Sequence, residues 1–153
     1  MIFEIPNGEI IQIETIILDL NGTLSVYGKV AESTVKLIQE LKKLDYKLYL
    51  ISGDIRGDAK RVSDELGLTL YIAKTSDEKA KVVENLNPET CAAIGNARID
   101  IGTFKKSKIA IATLQSEGIH TGIFPYVDII VPSIDDALRL FIDKESLSGT
   151  LRT

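Results

Sequence analysis

The sequence predicts an α/β fold with a doubly wound, mostly parallel sheet, preceded by an N-terminal β-hairpin. Six apolar runs have the length of strands, and most are separated by segments whose apolar residues recur at helical spacing. The first of these runs, Thr15–Leu20, is almost continuously apolar, which is typical of a strand buried on both faces. Strands that alternate with helices favour a parallel sheet covered on both sides.

Length and composition narrow the possible functions. The 153 residues suffice for one domain, expected to span 1–153 with the hairpin at 1–14 and the core at 15–147. The net charge of −4 provides no basic surface, so nucleic acid is not an expected partner. A single cysteine, Cys91, cannot form an internal disulfide, which favours a reducing compartment. No membrane span and no secretory signal are recognisable, so we expect a cytoplasmic protein without membrane contact.

The first elements follow from turn and capping signals. Residues 2–14 predict the hairpin, because alternating apolar runs flank an Asn-Gly dipeptide that favours a type I′ turn. After the strand at Thr15–Leu20 and a loop, Ser33–Leu44 has the apolar spacing of a helix. Lys47–Ser52 is the next strand, and Asp58–Leu66 is a short helix that Gly67 ends.

The second half of the chain continues the alternation. Leu68–Ala73 is predicted as a strand, and the capping box Thr75–Glu78 opens a helix that continues through Leu86. The remaining predicted elements are a strand at Cys91–Gly95, a helix at Arg98–Lys106, a strand at Ser107–Ala112, a strand at Val127–Val131 and a helix at Asp135–Asp143.

Chemically distinctive side chains follow the predicted strands, where ligands bind in such sheets. Asp19 emerges from a buried strand, which is costly for a carboxylate without a partner. Ser52 ends the second strand, and its hydroxyl with the amides of Gly53 and Asp54 could hold a phosphate-sized anion. Lys79 occupies a helix first turn, where acids are usual. These groups indicate phosphoryl transfer with Asp19 as the nucleophile.

A metal site is expected at the same edge. The segment Gly95–Asp100 offers an amide oxygen from Asn96 and the carboxylate of Asp100. Oxygen ligands of this kind suit a hard cation, and Mg²⁺ is the expected one, bound between Asp19 and Asn96.

These segments resemble the motifs of the haloacid dehalogenase (HAD) superfamily. Asp19–Leu24 is similar to its motif I, DxDGTL, or DKTGTL in P-type ATPases. Ser52 matches the Ser or Thr of motif II, and Ser76–Leu86 resembles the P-type ATPase motif III, with Lys79 in the place of the motif lysine. Gly95–Asp100 is similar to motif IV, GDGxND. The resemblance runs from about Thr15 to Phe141, and the intervals between motifs leave no room for a cap domain.

The resemblance implies a Mg²⁺-dependent phosphohydrolase that forms an aspartyl-phosphate on Asp19, among the capless, soluble P-type-ATPase-like members. It also implies a HAD-like fold, catalytic roles for Asp19, Asn21, Ser52 and Lys79, phosphate contacts from Gly22, Thr23, Gly53 and Asp54, and metal contacts from Asp19, the backbone oxygen of Asn21, Asn96 and Asp100. The substrate is phosphorylated, and either a small molecule or a macromolecule is compatible with a site that lacks a cap. Ion pumping is not implied.

Two family carboxylates are amides in this chain. Asn21 stands where family phosphatases have a general acid and base, whose loss is expected to slow turnover by roughly 10²- to 10⁴-fold. Asn96 stands where the family has a metal-binding Asp, and Ala97 and Ile99 also depart from motif IV. These departures keep open a second interpretation, a degenerate domain that binds a phosphorylated ligand, a metal or a partner protein without turnover. A phosphoaccepting receiver-type domain is a third, less favoured one.

Each site residue also has a structural alternative. Asp19 could be a buried capping residue, Asn96 a turn residue and Asp100 a helix first-turn acid. For Asp54 and Arg56 a surface role is favoured. The loop Thr113–Tyr126 could cover the site, or bury its apolar end in a homo-oligomer interface.

Overall fold

A six-stranded parallel sheet forms the centre of the computed structural model, which describes all residues from 1 to 153. The strands are β1 Ile2–Glu4, β2 Ile10–Gln12, β3 Thr15–Leu18, β4 Lys47–Ser52, β5 Thr69–Ile72, β6 Cys91–Gly95, β7 Ile109–Thr113 and β8 Ile129–Val131. β1 and β2 pair antiparallel as a separate hairpin, and the other six follow the order β5-β4-β3-β6-β7-β8. The predicted parallel α/β sheet with a leading hairpin is therefore confirmed.

Helices cover both faces of this sheet. They are α1 Glu32–Lys43, α2 Ala59–Leu66, α3 Ser76–Glu84, α4 Ile101–Lys106, α5 Ile134–Arg139 and α6 Lys144–Leu151. Short 3₁₀ helices occupy Pro88–Thr90, Arg98–Asp100 and Thr121–Tyr126. None of the helices is both long and apolar enough to cross a lipid bilayer.

The core lies on both sides of the sheet because the inner strands are apolar throughout. All residues of β3, β6 and β7 are buried, as their continuous apolar runs predict. The largest cluster, of 28 buried residues, packs the hairpin, α1, α2, α5 and α6 against one face. Smaller clusters around Val83 of α3 and Phe104 of α4 cover the other face.

Strand register brings the predicted site residues to one edge. Leu18 at the end of β3 lies opposite Leu50 of β4 and Ile94 of β6. Because the three strands are parallel, the residues that follow them leave the sheet on the same side. Residues 19–31 lead directly from β3 to α1, and β4 is followed by α2, β5 and α3, so neither interval contains a cap domain.

Several element bounds lie a few residues from the predicted ones, and the helix predicted at Arg98–Lys106 begins as a 3₁₀ helix. Three further details differ from the sequence prediction. The hairpin turn is closed by the Gly8 N–H donating to the Ile5 carbonyl at 2.9 Å, and of Asn7 and Gly8 only Asn7 has a positive φ, so the type I′ turn is wrong. Helix α6 was not predicted. Ile123, in the apolar end of the loop Thr113–Tyr126 that was expected to be free to cover the site or enter an interface, is buried with Phe104.

Candidate active site

Three of the predicted residues meet in a buried ion-pair cluster at the carboxyl edge of the sheet. The Nζ atom of Lys79, in the first turn of α3, lies 2.8 Å from Oδ1 of Asp19 and 2.8 Å from Oδ1 of Asp100. Lys79 and Asp100 are each 1% exposed, and Asp19 is 8% exposed. Because an unpaired buried lysine would be very costly, this contact explains a cation at the start of a helix.

The charges of this cluster do not balance. The pKa of Asp19 is raised to about 7, first by burial and then by the neighbouring Asp100, with Lys79 opposing both effects. Burial alone would lower the pKa of Lys79, but the carboxylates of Asp100 and Asp19 raise it above its ordinary value. With Lys79 charged, two ionised carboxylates leave an excess of one negative charge, which is the condition that a bound cation relieves.

Asp100 also organises the loop after β6. Its Oδ2 accepts hydrogen bonds from the backbone N–H groups of Asn96 at 3.0 Å and Ala97 at 2.9 Å. Gly95 is required beside it, because a Cβ at that position would overlap the Asp100 side chain. Asp100 thus joins Lys79 to the backbone of the segment similar to motif IV.

Asn96 is buried against the loop that follows Asp19. Its Oδ1 accepts a hydrogen bond from Oγ1 of Thr23 at 3.1 Å, and its Nδ2 donates to the Gly118 carbonyl at 2.8 Å. Gly22 has a φ of +76°, and a Cβ there would overlap the Asn96 amide. Asn96 therefore holds this loop in place through its side-chain hydrogen bonds. A contact between Asn96 and a metal stays a prediction.

Asn21 carries an unpartnered polar atom. Its side-chain oxygen is buried and has no hydrogen-bond partner in the protein. Such an atom costs about 1–3 kcal/mol unless a ligand or water satisfies it. The oxygen belongs to the residue at the predicted acid and base position, so it is a natural contact for a group bound beside Asp19.

Ser52 is buried at the end of β4, and its partner is local. The Oγ of Ser52 accepts a hydrogen bond from the Asp54 N–H at 2.9 Å. The Asp54 carboxylate in turn accepts from the N–H of Ala59 at 3.0 Å, at the start of α2. Asp54 therefore orders the loop, and Gly53 lies between the two hydrogen-bonded residues. Contacts of these three residues with phosphate stay predictions.

The residues at this edge fit a hard cation in chemistry but do not form a complete protein cage. The side-chain groups that could bind it do so through oxygen, and the ion-pair cluster has an excess negative charge when both of its carboxylates are ionised. No group of three acidic, histidine or cysteine side chains could hold a metal. A cation would therefore need amide or backbone oxygens, or water and substrate, among its ligands.

Sequence reasoning missed two residues of the loop after β7. Glu117 accepts hydrogen bonds from the N–H groups of Gly22 at 2.9 Å and Tyr27 at 2.8 Å, and pairs with Arg56 at 2.9 Å. Gln115 donates to the carbonyls of Gly22 and Thr23. Only the general expectation that the loop Thr113–Tyr126 covers the site pointed here. A lone acid in a long loop has no local pattern that marks its partner.

Comparisons with known proteins place the chain in a family. Residues 14–108 match a family described as haloacid dehalogenase-like hydrolase. The chain is 25% identical over 150 residues to a soluble P-type ATPase-like phosphatase of Methanocaldococcus jannaschii, covering 95% of this chain and 54% of that protein. It is 28% identical over 97 residues to a copper-exporting P-type ATPase of Staphylococcus saprophyticus, covering 61% of this chain and 12% of that protein. The chain thus spans about half the length of the first relative and a small part of the second.

Solved structures share the fold. A 3-deoxy-D-manno-octulosonate 8-phosphate phosphatase from Moraxella catarrhalis, crystallised with magnesium ion, phosphate ion and KDO, superposes with a TM-score of 0.72 and 18% identity over 90% of each chain. The corresponding phosphatase from Yersinia pestis has a TM-score of 0.68 and 21% identity, over 91% of this chain and 84% of that one. At these identities the likeness establishes the fold alone.

Proposed function

The chain belongs to the haloacid dehalogenase-like hydrolases, and within that family we propose that it is a Mg²⁺-dependent phosphohydrolase acting through an aspartyl-phosphate on Asp19. The observation that carries the proposal is the placement of Asp19, Lys79 and Asp100 within hydrogen-bond distance at the carboxyl edge of the sheet. The name of the M. jannaschii relative, a phosphatase, supports the same reaction class.

The first step forms the phosphoenzyme. An oxygen of the Asp19 carboxylate attacks the phosphorus atom of a phosphate monoester or acyl phosphate, and the bond between phosphorus and the leaving oxygen breaks. Lys79 provides positive charge toward the transferring group, and Ser52 provides a hydroxyl donor. Since the ammonium is already held at Asp19, little reorganisation is needed when the phosphate arrives.

The second step returns the enzyme to its resting state. Water attacks the phosphorus of phospho-Asp19, releasing inorganic phosphate and regenerating the carboxylate. Asn21 can hydrogen-bond to the water or to the leaving group, but its amide cannot exchange a proton near neutral pH. Both steps therefore proceed without general acid and base help worth roughly 10²- to 10⁴-fold, and the phosphoenzyme should be long-lived.

Magnesium would supply positive charge to the phosphate oxygens when bound. Asp19, the backbone oxygen of Asn21, Asn96 and Asp100 would hold it. The magnesium and phosphate ions named with the M. catarrhalis phosphatase support the choice of metal by analogy of fold. Since Asn96 contributes no charge, we expect weak metal binding.

The test is hydrolysis of p-nitrophenyl phosphate and acetyl phosphate with and without Mg²⁺. We expect slow, metal-dependent turnover, a phosphoenzyme that can be trapped with labelled acetyl phosphate, and loss of both in Asp19→Asn. A metal-replete, folded protein with neither turnover nor a trapped phosphoenzyme would refute the proposal.

A degenerate binding domain is the second candidate, because the side-chain amide of Asn96 is already engaged at both ends by Thr23 and Gly118. Beryllofluoride, which mimics a phosphoryl group, separates the two candidates. Binding of beryllofluoride by a protein that turns over no phosphate ester and traps no phosphoenzyme would favour the binding domain.

A further inference from the structure

Residues 114–118, called the strap here, lie across the carboxyl edge of the sheet. The strap follows β7 and reaches past β6 to the loops after β3 and β4. The carbonyl of its last residue, Gly118, accepts from Asn96 after β6. One short segment therefore contacts the loops that carry Asp19, Ser52 and Asn96.

Glu117 makes the central contacts of the strap. One carboxylate oxygen accepts from the Tyr27 N–H and from the Gly22 N–H, which also donates to the Ser25 carbonyl at 2.8 Å. The other oxygen pairs with Arg56 Nη2 at 2.9 Å. The side chain is only 15% exposed. Hydrogen bonds to an ionised, largely buried carboxylate are among the stronger contacts that a loop can have.

Neighbouring contacts fix the strap to the same loop. Nε2 of Gln115 donates to the Gly22 carbonyl at 3.2 Å and the Thr23 carbonyl at 2.6 Å, and its Oε1 accepts from the Ile134 N–H. The Tyr27 hydroxyl donates to the Ser116 carbonyl at 3.1 Å. The strap thus forms hydrogen bonds with both N–H and carbonyl groups of the turn that follows Asp19.

The charge of Glu117 is unusual at the edge of a site for phosphate, since two anions repel each other. Here the carboxylate is compensated locally. Burial would raise the pKa of Glu117, but the Tyr27 N–H, the Arg56 guanidinium and the Gly22 N–H lower it below its ordinary value. Tyr27 also holds a φ of +50°, a strained value for a residue with a side chain, which its N–H bond to Glu117 helps to maintain.

We propose that Glu117 is a positioning residue of the candidate active site, holding the loop that follows Asp19 in register with the loop that follows Ser52. The kinetic consequence rests on the proposed function, whereas the contact itself does not. Small displacements of a nucleophile have large effects on rate, up to about 100-fold for an error near 1 Å. Loss of Glu117 should therefore lower kcat more than it raises KM.

The first measurement is independent of activity. In ¹H–¹⁵N spectra of the full chain, the amide protons of Gly22 and Tyr27 should move upfield in Glu117→Gln and Glu117→Ala. Glu65→Gln is the matched control, because Glu65 lies on α2 with a side chain 62% exposed and makes an ordinary helix-surface pair with Arg61. Unchanged Gly22 and Tyr27 resonances in both Glu117 variants would overturn the inference.

The second measurement uses p-nitrophenyl phosphate. We expect kcat to fall roughly 10- to 100-fold in Glu117→Ala with KM within about twofold of the original, and a smaller loss in Glu117→Gln, which keeps one acceptor oxygen. Arg56→Ala gives a second test if Glu117→Ala is unstable, and it should reproduce part of the kcat loss. A variant that changes KM alone, or nothing, contradicts positioning. A wild type with neither turnover nor a trapped phosphoenzyme refutes the phosphohydrolase instead, and the amide shifts still test the strap.

Discussion

Replacing Lys79 with methionine should destabilise the protein strongly, because it removes the ammonium that two buried carboxylates share. Lys79 is 1% exposed, and its Nζ lies 2.8 Å from both Asp19 and Asp100. Methionine has a similar shape, so the change is chiefly one of charge. Breaking a buried ion pair by removing one partner costs about 3–5 kcal/mol. That is a large share of the roughly 5–15 kcal/mol that stabilises a domain.

The expected loss can be measured as a shift in thermal midpoint. At about 2–4 °C per kcal/mol for a domain near this size, Tm should fall by roughly 6–20 °C. Calorimetry and urea denaturation at pH 7.5 without Mg²⁺ would measure it. Lys81→Met, on the exposed side of the same helix, is the control and should change little.

The double variant Lys79→Met with Asp100→Asn tests whether charge is the cause. It removes one of the two uncompensated carboxylates and should recover part of the lost free energy of unfolding. A Lys79→Met variant as stable as Lys81→Met would contradict the expected loss. A double variant no more stable than Lys79→Met alone would show that charge is not the cause.

Three further predictions follow from the same site. Asn21→Asp should raise kcat on p-nitrophenyl phosphate by roughly 10²-fold or more, because a proton-transfer group is restored, and an unchanged rate would deny position 21 that role. Gly22→Ala should lose more free energy of unfolding than the control Gly57→Ala, measured by urea denaturation. Gly22 and Gly57 both have a positive φ, but only at Gly22 would the new Cβ overlap a side chain. Equal losses of unfolding free energy in the two variants would contradict this explanation. The pKa of Glu117 is lower in the folded protein than in the unfolded chain, where it is 4.5. Glu117 therefore stabilises the fold at pH values above 4.5, and this stabilisation is lost as pH falls through the folded-state pKa. Acid titration should therefore destabilise the wild type more steeply than Glu117→Gln, and identical slopes would refute the assignment.

The fold was predictable because its signals are local. The apolar runs gave the bounds of β4 and β6 as the structure has them. Thr75 caps α3 by accepting from the Glu78 N–H, and Gly67 is left-handed, where the helix signals indicated. The Glu78 carboxylate accepts from the Lys74 N–H and not from that of Thr75, so only half of the predicted capping box is formed. Each of these features depends on residues within a few positions of one another, so one segment contains the information.

The contacts around the site were predictable only where strand ends imply them. Lys79 meets Asp19 across 60 positions, which a parallel sheet with a following helix makes natural. Glu117 meets Gly22 across 95 positions from a loop whose path no periodicity fixes. Helix α6 was missed for a related reason, since only Leu147 of its residues is buried and the apolar pattern is correspondingly weak.

Of the two amides that depart from the family motifs, only Asn96 has a structural explanation. Asn96 uses both ends of its amide, accepting from Thr23 and donating to the Gly118 carbonyl of the strap. A carboxylate at 96 could not donate, and it would face that carbonyl with a repulsive oxygen. The amide is therefore coupled to the strap, and Asp at this position is incompatible with the strap as it lies. Nothing comparable holds at Asn21, whose buried oxygen has no partner in the fold. No contact in the protein requires an amide oxygen there, so the fold itself does not account for the amide at Asn21.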